Sequence, residues 1–290
     1  MKILITGGKG QLAQQIYGII KKGSSDLGIM DEAYKNAELW MPDADEMDIT
    51  NLEEVKQKLT EFNPEIIINC AAMTNVDGCE SNEELAFTVN ALGARNLAIV
   101  CENIGARLIH ISTDYVFKGE GQIPYKEYDM TAPASVYGKS KLLGENYVRE
   151  FCRKYFIVRT SWLYGHGGSN FVKTIIKAAR EKGELQVVND QRGNPTYAED
   201  LAHHILKLAL TEEYGIYHCT GNGECSWYDF ARAIVEYANI NCRVEPITSE
   251  KLNRAAKRPS FSSLDNMMLR CTIGDEMREW TEALRSFINS

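Results

Sequence analysis

Nowhere in the 290-residue chain does an uninterrupted apolar stretch approach the ~18 residues of a membrane span. The opening MKILITGG reaches glycine after an apolar run too short for a signal-peptide core. A soluble, cytoplasmic protein is the expectation. Basic residues are in the minority, 32 Lys and Arg against 40 Asp and Glu for a net charge of −8, which disfavours a nucleic-acid binder. The eight cysteines include no C-x-x-C pair, and none has a histidine at zinc-ligand spacing, Cys219 beside His218 being the nearest approach. Without a signal peptide they read as ordinary buried thiols, not a disulfide framework. The adjacent His203 and His204 cannot share one helix face, so metal catalysis has no support. Repeats and low-complexity linkers are missing as well. What is present, 44% hydrophobic and 25% charged residues, is globular and excludes disorder, collagen and coiled coil.

The length suits roughly two average domains sharing one sheet. Through the first half, short apolar runs alternate with helical patterns. Lys2–Thr6 (KILIT) reads as a buried strand. A glycine loop and a helix with Leu12, Ile16, Ile19 and Ile20 on one face follow it. Further strands are expected at 38–41, 65–70, 107–112 and 155–159. Helices are expected at 51–61 with Asn51 as cap, at 81–103 as one long element, and at 136–152. Such alternation means βαβ units, hence an α/β fold, a Rossmann-like doubly wound parallel sheet. Residues 1–160 are expected to form mainly an NAD(P)-binding domain. Residues 161–290, with helices near 170–181, 199–210, 227–237 and 276–287, are expected to form mainly a smaller, less regular α/β substrate lobe; segments of the two can interleave. Residues 24–37 are the least patterned and read as an insertion or mobile loop.

Gly7-Gly8-Lys9-Gly10-Gln11-Leu12-Ala13 follows a strand and opens a helix, the context a dinucleotide fingerprint requires. Glycine allows the tight turn and close backbone approach to a pyrophosphate, while the helix N-terminus presents free N–H groups to it. Ala13 stands in for the third glycine. The acid that contacts an adenosine ribose falls about 20 residues further on in such folds. Here the second strand arrives late. Asp43 is the candidate, with Asp48 close behind; Asp26 and Asp31 fit the count but follow no strand. NAD and NADP therefore remain equally open.

A second constellation lies downstream. Ser112-Thr113-Asp114 ends a strand, and Tyr137-Gly138-Lys139-Ser140-Lys141 begins a helix that puts Tyr137 and Lys141 on one face. Hydride delivery to a ketone leaves an alkoxide that must be protonated. A tyrosine with pKa ≈ 10 becomes a better-matched donor if a neighbouring ammonium lowers that value. Thr113 can hydrogen-bond the same oxygen. Tyr137, Lys141 and Thr113 are thus the catalytic candidates.

Several segments, ITGGKGQLA, DIT at 48–50, INCAAMTNVDGCE, STDYVFKG, PASVYGKSKLLGE, VRTSWLYG, NFVKT, VNDQRGNPTY and RPSFSSL, span nearly the whole chain. Together they resemble the extended short-chain dehydrogenase/reductases and, within them, the dTDP-4-dehydrorhamnose reductase group. That resemblance implies NADPH- or NADH-dependent reduction of the C4 ketone of dTDP-4-dehydro-β-L-rhamnose to dTDP-L-rhamnose. It implies that Gly7, Gly10, Gln11 and Leu12 cradle the cofactor phosphates and that Asp48 and Ile49 lie by the adenine, with Asp43 at the second-strand position. Ala71, Ala72, Met73 and Thr74 would border the nicotinamide side. Tyr137 would be the proton donor, Lys141 would hold the ribose and tune Tyr137, and Thr113, Asp114, Trp162 and Arg258 would contact the sugar nucleotide. The implied partner is a nucleotide-sugar substrate, with no nucleic acid and no membrane, and the implied assembly is a monomer or homodimer. No recognisable ligand set supports Mg2+ or another metal. The sequence departs from the group at Ala13, at Met73, where His or Tyr is usual, and in the length of 24–37.

The residues alone leave other roles open. Trp162 could be core, Asp114 a turn cap, 193–196 a plain turn, and Arg254, Lys257 and Arg258 a solvated basic face. Two rival functions compete. A nucleotide-sugar dehydratase or epimerase would recycle NAD, but dehydratases of this kind carry Asp-Glu after the threonine, whereas here Asp114-Tyr115 follows. A non-catalytic regulatory subunit on the same fold would have no need of an intact Thr113, Tyr137 and Lys141.

Overall fold

A computed structural model describes residues 1–252 and 254–290. Eight strands and eight helices frame it. The strands are β1 (Lys2–Thr6), β2 (Glu38–Trp40), β3 (Ile66–Asn69), β4 (Arg107–Thr113), β5 (Tyr155–Thr160), β6 (Glu184–Val188), β7 (Gly215–His218) and β8 (Arg243–Ile247). The helices are α1 (Gln11–Lys22), α2 (Leu52–Phe62), α3 (Gly93–Ile104), α4 (Val136–Phe151), α5 (Phe171–Lys182), α6 (Ala198–Ala209), α7 (Trp227–Tyr237) and α8 (Trp280–Asn289).

Six strands form one all-parallel sheet in the order β7-β5-β4-β3-β1-β2. Alternate side chains of a strand point to opposite faces. In β1, Ile3 and Ile5 therefore enter a core with Leu12 and Ile16 of α1 and Leu201 and Ile205 of α6. Leu4 enters the opposite core with Val55 and Leu59 of α2, Leu97 of α3 and Val148 of α4. Chain continuity beyond residue 160 matters here: α6 and β7 both belong to the layers of the first half. The remaining lobe pairs β6 with β8 and packs Tyr164, Val172, Tyr197, Phe230, Leu284 and Phe287.

Three expectations need correction. The long helix expected over 81–103 runs unbroken over 83–104 but passes through a π turn at Thr88–Leu92 before α3, and a separate short helix, Val76–Ser81, precedes it. Asn82 leaves helical geometry with φ −137° and ψ 62°. The π turn carries Asn90 inward, where a regular amphipathic pattern places no polar group. The last helix starts at Trp280, four residues later than 276. Residues 24–37 are not a loose insertion: they form a small hairpin and a 3₁₀ turn. Ser25 hydrogen-bonds His203 of α6 at 2.8 Å, and buried Tyr34 donates to the Leu206 carbonyl at 2.7 Å.

Candidate active site

The sheet's order changes direction beside β1, and clefts in open parallel sheets form at the carboxyl ends of strands at such a point. A cleft of about 730 Å³ lies there. The ends of β1, β3, β4 and β5, the start of α4, and Trp162, Ser169 and Trp227 from the second lobe line it. Gly7, Gly10, Gln11, Leu12, Asp43, Asp48, Ile49, Ala71, Ala72, Thr74, Thr113, Asp114, Tyr137, Lys141 and Trp162 all reach this one space. Met73 and Arg258 do not line it.

Gly7 adopts φ +67°, and a Cβ on it would stand 3.0 Å from the backbone of Ala71, so the loop closes against the end of β3 only with glycine. The Gly10 amide donates to the Gly7 carbonyl at 2.8 Å. No side chain among the described residues caps α1, which leaves its first-turn amides facing the cleft. Gln11 Oε1 is buried without a hydrogen-bond partner among the described residues. The open helix N-terminus fits a dinucleotide pyrophosphate, while Gln11 Oε1, an acceptor, suits a donor such as a ligand hydroxyl.

The Thr113, Tyr137 and Lys141 side chains come from β4 and α4. Ser135 caps α4, its Oγ accepting from the Gly138 amide at 3.1 Å. A Cβ on Gly138 would lie 2.2 Å from the Tyr115 carbonyl oxygen. This close approach brings the first turn of α4, with Tyr137, against the end of β4, with Thr113. Tyr115 lies edge-on to Tyr137, with ring centroids 5.5 Å apart.

The electrostatics differ from the simple expectation. Lys141 turns its Nζ to the Ile111 carbonyl at 2.6 Å. Burial, the largest influence, brings its pKa down to about 8, against the opposing pull of Glu145. Burial also pushes the Tyr137 phenol above its ordinary value, offset in part by the hydrogen bond with Thr113. Desolvation therefore outweighs any lowering of Tyr137 by the ammonium, and Tyr137 is held in its acid form. Asp114 is pushed up to about 6 by burial. Its Oδ1 accepts from the Thr113 hydroxyl at 3.0 Å, and its Oδ2 has no partner among the described residues.

Supporting residues escaped the sequence reading. Thr6, Asn69 and His110 form a buried chain ending 3.5 Å from Lys141 Nζ. Burial, then the nearby Lys141 charge, keeps His110 neutral. Asn90 holds the Met73 amide at 2.8 Å, the Met73 carbonyl at 3.1 Å and the Ser140 hydroxyl at 3.0 Å. Met73 and Tyr137 meanwhile both pack against the buried cluster of Cys79, Ala86 and Val136. The only sequence signal for Asn90 was a polar residue interrupting an apolar helical stripe. Asn96 of α3 pins the backbone of Ile49 and Thr50 at 3.0 Å, while Asp48 folds back onto Thr50.

On the lobe side, Trp162 has φ +46°, an uncommon backbone state for a bulky residue. Its ring stacks on Trp227 with centroids 3.5 Å apart and an 8° interplanar angle. Arg258 grips Asp77 through two hydrogen bonds of 3.0 and 2.8 Å and holds its carboxyl down at about 2. Lys257 pairs with Glu120 at 3.5 Å. Arg258 and Lys257 are therefore tied to the segments after β3 and β4, not left as a free basic face. Among the described residues no His, Cys, Asp and Glu cluster forms a metal-binding group, and no helix is long and apolar enough to cross a membrane.

Comparison with known proteins adds a family. The family model described as RmlD substrate binding domain matches residues 1–290. Spore coat polysaccharide biosynthesis protein SpsK of Bacillus subtilis (strain 168) is 39% identical over 287 residues, covering 99% of this chain and 96% of the relative. The crystal structure of a dTDP-4-dehydrorhamnose reductase from Clostridium acetobutylicum ATCC 824 superposes with a TM-score of 0.94 at 46% identity, covering 100% of this chain and 99% of the other. That of a dTDP-4-dehydrorhamnose reductase from Bacillus anthracis str. Ames, in complex with NADP, gives 0.93 at 43% identity, covering 99% and 98%.

Proposed function

The chain belongs to the RmlD substrate-binding-domain family, and from that membership and the cleft's geometry we propose that it reduces the C4 ketone of dTDP-4-dehydro-β-L-rhamnose to dTDP-L-rhamnose. This is the last step of dTDP-rhamnose biosynthesis, carried out by an NAD(P)H-dependent oxidoreductase. Relatives named dTDP-4-dehydrorhamnose reductase and the NADP complex of the Bacillus anthracis protein support this reading. The observation that carries it is the meeting of Thr113, Tyr137 and Lys141 in one cleft with the uncapped start of α1.

A reduced nicotinamide bound in the cleft supplies the hydride. The first-turn amides of α1 would hold its pyrophosphate, and Lys141 would hold its ribose hydroxyls. The Thr113 hydroxyl orients the sugar carbonyl, and Tyr137 Oη passes its proton to the oxygen as negative charge develops there. Burial keeps the phenol protonated but makes it a weaker acid than a free tyrosine, so the transfer rests on the developing alkoxide being the stronger base. Asp114 Oδ2 is placed to accept from a sugar hydroxyl, and the Trp162–Trp227 stack walls the sugar side. Elimination chemistry is disfavoured because Tyr115, a phenol that burial pushes above its ordinary pKa, stands where dehydratases of this kind carry a glutamate. The same reading makes the protein a cytoplasmic enzyme, monomer or homodimer, partnered by a nucleotide sugar and by neither nucleic acid nor membrane.

Consumption of NADPH or NADH with dTDP-4-dehydro-β-L-rhamnose generated in situ tests the activity. Tyr137→Phe is expected to lose turnover by about 10²-fold or more, the usual scale of general-acid catalysis, while still binding the cofactor. Turnover like that of the wild type would remove Tyr137 from its role.

A further inference from the structure

A row of polar groups crosses the sheet behind the cleft. Thr6 on β1, Asn69 on β3 and His110 on β4 are register partners on three adjacent strands, and they are 1%, 2% and 1% exposed. The Thr6 hydroxyl donates to Asn69 Oδ1 at 2.7 Å, and Asn69 Nδ2 lies 3.0 Å from His110 Nδ1. His110 Nε2 faces Lys141 Nζ at 3.5 Å, while Nζ donates to the Ile111 carbonyl at 2.6 Å. With the amide donating to Nδ1, the hydrogen of the neutral ring sits on Nε2 and points at Lys141. An ammonium has no lone pair to receive it; an amine has one.

The chain can also run the other way. If the Asn69 amide turns over, Nδ2 donates to the Thr6 hydroxyl and Oδ1 accepts from His110 Nδ1–H, which leaves Nε2 to accept from a Lys141 ammonium. Both directions keep these buried groups paired. We propose that His110 is a positioning residue for the reduction, one that holds Lys141 Nζ beside the Ile111 carbonyl in both charge states by exchanging tautomers. Its part in turnover rests on the reductase reading above, whereas the tautomer exchange rests on the geometry alone.

The exchange releases one proton to solvent. The ammonium hydrogen passes to Nε2 and the Nδ1 hydrogen departs, so Lys141 becomes an amine and the ring stays neutral throughout. Burial brings Lys141 down to about 8, which places the exchange near that pH. Glu145 on α4 and Cys70 after β3 also act on Lys141, both opposing the effect of burial. Tyr137 lies one turn before Lys141 on α4, and Arg159 on β5 is occupied by Glu145. On His110 itself only burial and Lys141 act, and both keep the ring neutral.

Nitrogen-15 NMR of the histidine-labelled, substrate-free protein reads which ring nitrogen carries the hydrogen. His110 should carry it on Nδ1 at pH 7 and on Nε2 at pH 10, with no imidazolium at either; in Lys141→Met one tautomer should persist. An unchanged tautomer in the wild type, or an exchange that survives in Lys141→Met, overturns the proposal. Turnover tests the positioning, because an asparagine amide replaces Nδ1 and a glutamine amide replaces Nε2. His110→Asn and His110→Phe should lower kcat by about tenfold, the scale of one hydrogen bond to a charged group, and His110→Gln should recover most of the loss. Equal kcat for the Asn and Gln variants overturns the positioning role and leaves His110 as packing. A wild-type protein that reduces no keto sugar refutes the reductase reading, and the ring nitrogens still decide whether His110 and Lys141 are coupled.

Discussion

Lys141 should make the substrate-free protein more stable as the solution becomes alkaline, against the usual trend. Its amine falls from an ordinary value of 10.5 to about 8 on folding, because burial disfavours the ammonium. A base with a lowered folded pKa is penalised while both states are protonated, below pH 8. Between pH 8 and 10.5 the unfolded chain binds the proton and the folded chain does not, so stability rises with pH across that window. Integrating between pH 7 and pH 10 gives about 2.5 kcal/mol at 1.36 kcal/mol per decade. Other groups titrate there, notably the buried thiols of Cys70 and Cys219, which burial pushes up and which therefore act in the opposite sense. Comparison with Lys141→Met cancels them. Urea unfolding of both proteins at pH 7, 8, 9 and 10 measures the difference directly. The stability of the variant relative to wild type should fall by about 2 to 3 kcal/mol from pH 7 to pH 10. Parallel pH profiles would refute the claim that desolvation governs Lys141.

Two further perturbations probe the scaffold around it. Arg159 and Glu145 form a buried pair at 2.7 Å with exposures of 3% and 1%, so Arg159→Met should cost about 3–5 kcal/mol in urea unfolding by leaving Glu145 uncompensated. A loss under 1 kcal/mol would mean that Glu145 takes up a proton or reaches water. Asn90→Leu should strand the Met73 amide and carbonyl and the Ser140 hydroxyl, costing about 2 kcal/mol or more and lowering kcat; unchanged unfolding and kcat would show that Asn90 only fills space.

The sequence by itself determined the local periods and the spacing of the chemistry. β1 falls at Lys2–Thr6 and α7 at Trp227–Tyr237 as read, because an apolar run or a 3.6-residue stripe is written in consecutive residues. Asn51 caps α2, and Tyr137 and Lys141 share one helical face, for the same local reason. The βαβ alternation then leaves few topologies besides a parallel sheet with its ligand at the strands' carboxyl ends. Tertiary structure alone decided what distant residues do to one another. Arg258 meets Asp77 across 181 positions, and Tyr34 reaches Leu206 across 172. Trp227 stacks on Trp162, and Asn90 sits in a π turn within an otherwise regular helix, where its buried amide finds acceptors distant in sequence. The protonation of Lys141 and Tyr137 belongs to the same class: spacing predicted their neighbourhood, but only burial, which no stretch of sequence specifies, sets their charge.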